Sequence, residues 1–209
     1  MSSIIGNKLK VSLFGESHGE GIGVVIDGLP AGFEINFNYI NKQLKRRAPG
    51  KNTLSSSRKE DDEYNILSGL FQGKTTGTPL SAIIYNKDKK SEDYNQYILR
   101  PGHSDYTGNI KYSNFNDYRG GGHFSGRLTA PLLFAGSIAL QILESKNIYI
   151  GSRIKSIYNI NDDDISSMNI DMIKNLKDMD FPVVSGDKGK LMGNCILKEK
   201  ENGNSLGGI

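Results

Sequence analysis

A mixed α and β protein is predicted by two sets of observations along this 209-residue chain. Short β-rich runs stand at residues 10–14, 23–27, 64–68 and 80–85, set off by turn-forming residues. Helical patterns stand at residues 36–47, 126–146, 165–177 and 188–199. The length allows one large domain or two small ones, with room for a sizeable core.

The first two strands flank a glycine-rich segment, so they read as strands joined by a functional loop. Leu29-Pro30-Ala31-Gly32 is a turn. Asn36 caps a helix that runs to about Arg47, and Pro49-Gly50 stops it. Its last turn holds Lys45, Arg46 and Arg47. Cations there suit the negative end of the helix dipole, a reason sufficient for one of the three. Residues 51–58 are polar and rich in Ser and Thr, which predicts a surface loop. The strands at 64–68 and 80–85 are separated by the turn-rich Gly73-Lys74-Thr75-Thr76-Gly77-Thr78-Pro79. Residues 87–93 form a solvated charge run, and 100–105 a loop. The helix at 126–146 is apolar enough to be buried, with Pro131 acceptable only near its first turn. Residues 149–158 have strand character, and helical patterns return at 165–177 and 188–199. The closing Asn202-Gly203-Asn204-Ser205-Leu206-Gly207-Gly208-Ile209 reads as the entry to a strand, an unnatural end for a complete domain.

Composition narrows the function classes. A hydrophobic share of 36% and a charged share of 23% describe an ordinary soluble protein. The net charge of +3 is too small to argue for a nucleic-acid partner, and aromatics are not interleaved with a basic patch. The longest apolar stretch, 128–143, is interrupted by polar residues and is too short to span a bilayer. No apolar run of a signal peptide stands at the start. The single cysteine, Cys195, fits a reducing compartment and a buried structural thiol, so a cytoplasmic location is expected.

Three histidines, His18, His103 and His123, all sit in glycine-flanked loops. An imidazole titrates near neutral pH and can move protons. Neither HxxxH nor HExxH spacing occurs, and no cysteine cluster accompanies them, so no metal site is expected. Gly120-Gly121-Gly122 precedes a helix, where backbone amides and the positive helix end suit an anion. Arg119 and Arg127 bracket it, and arginine grips carboxylate or phosphate as a fork. The ending Gly-Lys-Ser/Thr of a Walker loop and the dinucleotide GxGxxG in its strand–helix setting are both missing.

Longer motifs go further. Gly15-Glu16-Ser17-His18-Gly19 followed by Gly23-Val24-Val25-Ile26-Asp27-Gly28-Leu29-Pro30 resembles the first signature of chorismate synthase, and Gly122-His123-Phe124-Ser125-Gly126-Arg127-Leu128-Thr129-Ala130 resembles the second. Between them, Arg46-Arg47-Ala48-Pro49-Gly50, Ile66-Leu67-Ser68-Gly69, Thr75-Thr76-Gly77-Thr78-Pro79, Arg100-Pro101-Gly102-His103-Ser104-Asp105-Tyr106 and Asp117-Tyr118-Arg119-Gly120-Gly121-Gly122 follow in family order. The resemblance implies an α+β fold, a layered β-α-β sandwich with antiparallel sheets, formed here by one incomplete domain over residues 1–209. It also implies a homotetramer.

The implied reaction is a 1,4-elimination of phosphate from 5-enolpyruvylshikimate 3-phosphate, giving chorismate, with reduced FMN required. By resemblance, His18 and His103 are catalytic, His18 as acid at the phosphate and His103 beside the flavin. Ser17, Arg47, Arg119 and Arg127 would bind the substrate, with Arg46 and Arg100 as lesser candidates. His123, Phe124 and Ser125 would line the FMN site, where many members carry Arg-Ser-Ser. NADPH is implied as a reductant of the flavin, but Thr53, like Ala48, stands where other members carry arginine, so the charged nucleotide contact is missing. A Lys-Pro-Thr-Ser-Ser-like flavin loop and an Arg-(His/Ser)-Asp motif, which the resemblance places further along, do not occur in these residues. The competing expectation is a non-catalytic remnant that binds anion or flavin without turnover.

Overall fold

The computed structural model describes residues 3–48, 54, 62–87, 94–165 and 169–209. The loop expected at 51–58, Thr53 within it, and most of the 87–93 charge run lie outside the described residues. The fold is α+β with antiparallel sheets. Its contacts group into two units, one within Met1–Ala48 and Glu60–Gln141, the other within Pro49–Lys59 and Ile142–Ile209.

The first unit is built on a five-stranded sheet, in the order β1 (Ile4–Ile5), β2 (Lys10–Gly15), β3 (Gly21–Asp27), β7 (Leu80–Tyr85) and β4 (Tyr64–Ser68), every pair antiparallel. Side chains alternate across a strand, so residues two apart share a face. Ile22, Val24 and Ile26 of β3 pair with Ile84, Ala82 and Leu80 of β7, and all six are buried. This is the core face. The turn-rich stretch between β4 and β7 holds a small hairpin of β5 (Leu70–Phe71) and β6 (Lys74–Thr75).

Helix α1 (Phe37–Arg47) is capped by the Asn36 side chain, which accepts from the Tyr39 amide, and it buries Ile40, Gln43 and Leu44 at helical spacing. The long apolar helix is α3 (Thr129–Glu144), with Ala130, Phe134 and Ile138 buried along one stripe. Leu128 and Ala130 pack on Ile22 and Ile84 of the sheet, and Phe134 meets the Tyr64 ring edge-on at 4.8 Å. The expected start at 126 is a 3-10 turn, Gly126–Leu128, so Pro131 falls in the first α-helical turn. The apolar run is long enough by composition to suggest a membrane span from 119, but its α-helix has 16 residues. At 1.5 Å per residue that is about 24 Å, short of a bilayer's roughly 30 Å core. One helix escaped the sequence reading: α2 (Asp105–Lys111) starts inside the motif taken as a loop.

In the second unit, the strand expected over 149–158 shrinks to β8 (Ser156–Ile157), paired with β9 (Ile160–Asn161). Most of 149–158 lacks a partner strand, and an extended sequence preference without a pairing edge gives no sheet. Helix α4 (Ile170–Asp178) starts at the Asn169 cap, later than expected, and α5 (Gly186–Glu201) is longer than expected. Cys195 on α5 is half-buried rather than buried. The closing glycine turn is tied down. Ile209 and Ser156 exchange backbone hydrogen bonds, and Gly208 bridges Ile157. Ile157, Val183 and Met192 form this unit's core.

Asp162 organises the second unit's loops. Its carboxylate accepts from the Val184 and Ser185 amides at 2.7 and 2.9 Å and from Arg153 at 3.0 Å. Burial pushes this carboxyl up, but those amides and Arg153 outweigh it and hold the group below its ordinary 3.8. A carboxyl depressed on folding stabilises the folded state above its unfolded pKa, and that stability is lost as pH falls toward the folded value. Acid titration of stability should therefore steepen below about pH 4. Asp162→Asn should flatten that slope in urea unfolding measured from pH 6 to pH 2. An unchanged slope would remove Asp162 from the acid transition.

Candidate active site

One end of the sheet gathers the site, and the antiparallel order explains why. The β2–β3 connection, residues 16–20, leaves the sheet where β7 ends and β4 begins. Asp62 stands just before β4 and Asn86 just after β7, so both arrive beside the Ser17–His18 turn.

Ser17 is 1% exposed and His18 6%. The turn is closed by Gly19 N–H donating to Glu16 O, and it is docked by Ser17 N–H donating to Gly122 O, both at 3.1 Å. The triglycine run wraps the histidine. Gly120, Gly121 and Gly122 all have positive φ, at 59°, 83° and 53°. A Cβ on Gly120 would lie 2.3 Å from His18 Cε1 and 3.0 Å from Ser17 Oγ. Only glycine allows both this backbone and this approach. Among the described residues nothing partners the buried Ser17 Oγ. A buried hydroxyl is costly when unpartnered, so this one is suited to a ligand.

The arginines form three fixed groups. Arg119 forks onto Asp117, with Nε and Nη2 each 2.9 Å from a carboxylate oxygen. Burial pushes the Asp117 carboxyl up, but hydrogen bonds from Arg119 and the charges of Arg119 and His18 bring it below its ordinary value. Arg100 forks onto Asp105 at 2.9 and 3.0 Å, which holds Asp105 low against its burial, with the His103 charge assisting. Arg47 and Arg127 share Asp62, whose side chain is 1% exposed. Arg127 Nε also donates to Asn86 Oδ1 at 3.0 Å.

The two histidines assigned catalytic roles differ. His18 is enclosed, and Tyr94 stands edge-on to it at 5.0 Å. His103 is exposed, its Nδ1 3.3 Å from Pro101 O. Asp105, whose carboxyl feels the His103 charge, grips Arg100, and Arg100 lies over the Tyr94 ring at 5.2 Å. Arg46 bonds Gln43 on its own helix, the position dipole compensation accounts for.

Two of the three residues assigned to the flavin, His123 and Phe124, line an adjoining cavity of about 420 Å³, walled also by Phe14, Tyr112 and Phe115. His123 is fixed through Nδ1 to Gly15 O at 2.9 Å and Nε2 to Ser3 Oγ at 3.2 Å. Phe124 lies 5.9 Å from the Tyr112 ring, and Lys111 sits over both rings. Ser125 does not line this cavity; its side chain accepts from the Arg127 amide as a helix cap. Asn116 Oδ1, a buried acceptor unpartnered among the described residues, belongs to a residue lining both this cavity and a smaller one beside Tyr94, Arg100 and Gly121. Aromatic walls with a waiting acceptor fit a planar heteroaromatic cofactor.

Sequence reasoning missed Asp62, Asn86, Asp117 and Tyr94 as contributors. Asp62 was hidden in the acidic run 60–63, and Asn86 carries no local signal. Asp117 and Tyr94 gain meaning only through partners brought near by the fold.

An α+β frame presses a buried serine and histidine against a triglycine wrap, with guanidinium groups at the same end, a set of groups chemically suited to an anion and to proton transfer. The profile of the family described as chorismate synthase matches residues 9–209. The chain is 42% identical to the chorismate synthase of Methanobrevibacter smithii over its whole length, covering 57% of that protein. It is 52% identical to that of Lachnospira eligens over 157 residues, 74% of this chain and 43% of that one. A solved structure titled "Crystal Structure of Chorismate Synthase" aligns with 97% of this chain and 56% of its own, at a TM-score of 0.70 and 28% identity. The chain belongs to the chorismate synthase family, and it spans about half the length of the relatives it matches.

Proposed function

We propose that the full-length protein is a chorismate synthase, a carbon–oxygen lyase acting on a phosphate ester. It removes the 3-phosphate and a C6 proton from 5-enolpyruvylshikimate 3-phosphate and releases chorismate and phosphate. The observation that carries this reading is the buried Ser17–His18 turn closed against Gly120, in a chain of this family.

The substrate is a polyanion, so its binding is an electrostatic task. Ser17 Oγ and the guanidinium groups of Arg47, Arg119 and Arg127 receive its phosphate and carboxylates. A guanidinium has five N–H donors, so one already held by a carboxylate can still meet a second anion. Holding each arginine on a carboxylate orients it before substrate arrives, which lowers the ordering cost of binding. His18, enclosed and away from bulk water, donates a proton to the departing phosphate oxygen.

The residues around the larger cavity suit reduced FMN, held between His123, Phe124 and Tyr112 with Asn116 Oδ1 as acceptor; Ser125 supports this wall as a cap. Reduced FMN held there would supply electron density to the elimination with no net oxidation or reduction. His103 holds a proton at the flavin side. The same reading makes residues 1–209 part of one catalytic domain of a homotetrameric, cytoplasmic enzyme of aromatic amino-acid biosynthesis.

The test is anaerobic turnover by the full-length protein with reduced FMN and 5-enolpyruvylshikimate 3-phosphate. Chorismate and phosphate should appear in equal amounts over many cycles. Flavin or phosphate binding without turnover would favour the remnant instead.

A further inference from the structure

Asp62 and Asn86 are buried polar residues that the reaction above gives no task. A carboxylate buried as deeply as Asp62 is costly unless paired, and an apolar residue would pack the position more cheaply. Its geometry is specific. Oδ2 accepts from Arg47 Nε at 2.9 Å, while Oδ1 accepts from both Arg47 Nη2 at 3.2 Å and Arg127 Nη1 at 2.8 Å. One oxygen thus holds two guanidinium groups at a single spacing. Arg47 comes from α1 and Arg127 from the turn before α3; besides Asp62, Arg47 Nη1 donates to Thr129 Oγ1 at 3.2 Å, a neutral tie to the start of α3, so Asp62 is the charged group that holds both guanidinium groups.

Asn86 continues the path. Its Oδ1 accepts from Arg127 Nε at 3.0 Å, and its Nδ2 donates to Glu16 O at 2.9 Å and Gly19 O at 3.0 Å. The two carbonyls flank Ser17 and His18. An amide is suited to this position because it offers an acceptor on one side and two donors on the other.

We propose that Asp62 and Asn86 are positioning residues of the site. Asp62 fixes Arg47 and Arg127 at the spacing the substrate's anionic groups need, and Asn86 ties Arg127 to the turn that carries Ser17 and His18. The proposal rests on the reaction proposed above and deepens it.

The two residues are distinguished by which kinetic constant each moves. In the full-length enzyme, Asp62→Asn keeps the size and removes the charge that orders both arginines. KM should rise about tenfold or more, the scale of a charge-assisted hydrogen bond, with kcat nearly unchanged. Asp62→Glu, which restores the charge, should recover part of that loss. Asn86→Asp keeps an acceptor for Arg127 and loses both donors to the turn. Here kcat should fall about tenfold, a loss absent from Asp62→Asn, while KM rises as well because the new carboxylate lies against Arg127 and Ser17 sits on the same turn. Variants that shift only the thermal midpoint, with both constants at wild-type values, would overturn the proposal. Should Asp62→Asn fail to fold, Asn86→Asp decides, and an unchanged kcat overturns it. If the wild-type enzyme does not turn over substrate, the proposed reaction fails, and calorimetry with inorganic phosphate tests positioning alone. Binding weakened about tenfold in Asp62→Asn would support it; equal binding would overturn it.

Discussion

Replacing His18 with alanine in the full-length enzyme is expected to lower turnover by about two to four orders of magnitude, the scale of lost general acid catalysis. The imidazole is enclosed by Ser17, Tyr94 and the triglycine wrap, so bulk water has poor access to stand in for it. Asp117 lies within electrostatic reach, and Arg119 is forked onto that carboxylate, so the proposed proton donor and the proposed anion-binding cation are held together. Substrate affinity, which the proposed function assigns mainly to the arginines, should fall much less than kcat. His103→Ala is expected to lose a similar factor through the flavin side. The two variants separate under flavin titration: the His103 variant should bind reduced FMN more weakly, and the His18 variant should bind it as wild type does. Steady-state kinetics with circular dichroism checks both, and wild-type rates in either would remove that histidine from the mechanism.

Gly120→Ala is expected to abolish most activity, lowering kcat/KM by about a hundredfold or more, without a substitution at any group that does chemistry. Two penalties combine. The backbone sits at φ 59°, a left-handed conformation that costs an L-residue about 1–2 kcal/mol. The new methyl would also lie 2.3 Å from His18 Cε1 and 2.4 Å from Nδ1, so the ring must leave its position. Gly73→Ala separates the two effects. Gly73 has φ 78° with nothing within 4 Å of the added methyl, so it incurs the backbone cost alone. Gly73→Ala should lose only the backbone share of stability in urea, Gly120→Ala at least that much, and only Gly120→Ala should lose turnover. Equal activity in the two would mean that the close approach of Gly120 to His18 is irrelevant to function.

Much of the frame was legible because its signals are local. The strands at 64–68 and 80–85 match the observed bounds of β4 and β7, since β-branched and aromatic residues there sit between clear turn formers. The Asn36 cap and the end of α1 at Arg47 were likewise readable from a few adjacent residues. The poorer readings fell where local preference lacked a partner or was masked. Residues 149–158 had strand composition but only two found an edge to pair with. α2 began inside a segment whose proline and glycine spoke for a loop.

By itself the sequence determined which groups could do chemistry: the glycine-flanked histidines, the paired arginines and the triglycine run are composition, and composition is visible without a fold. Only the tertiary structure decided how those groups are held. Asp62 is 65 residues from Arg127 along the chain, and Asn86 is 70 from Glu16. An antiparallel sheet brings such positions to one end because the start of one strand lies beside the end of its neighbour. Nothing in the local sequence around Asp62 or Asn86 records that neighbour. For the same reason, the enclosure of His18 and the exposure of His103 could not be read from two similar glycine-flanked motifs, since burial belongs to what packs against a residue.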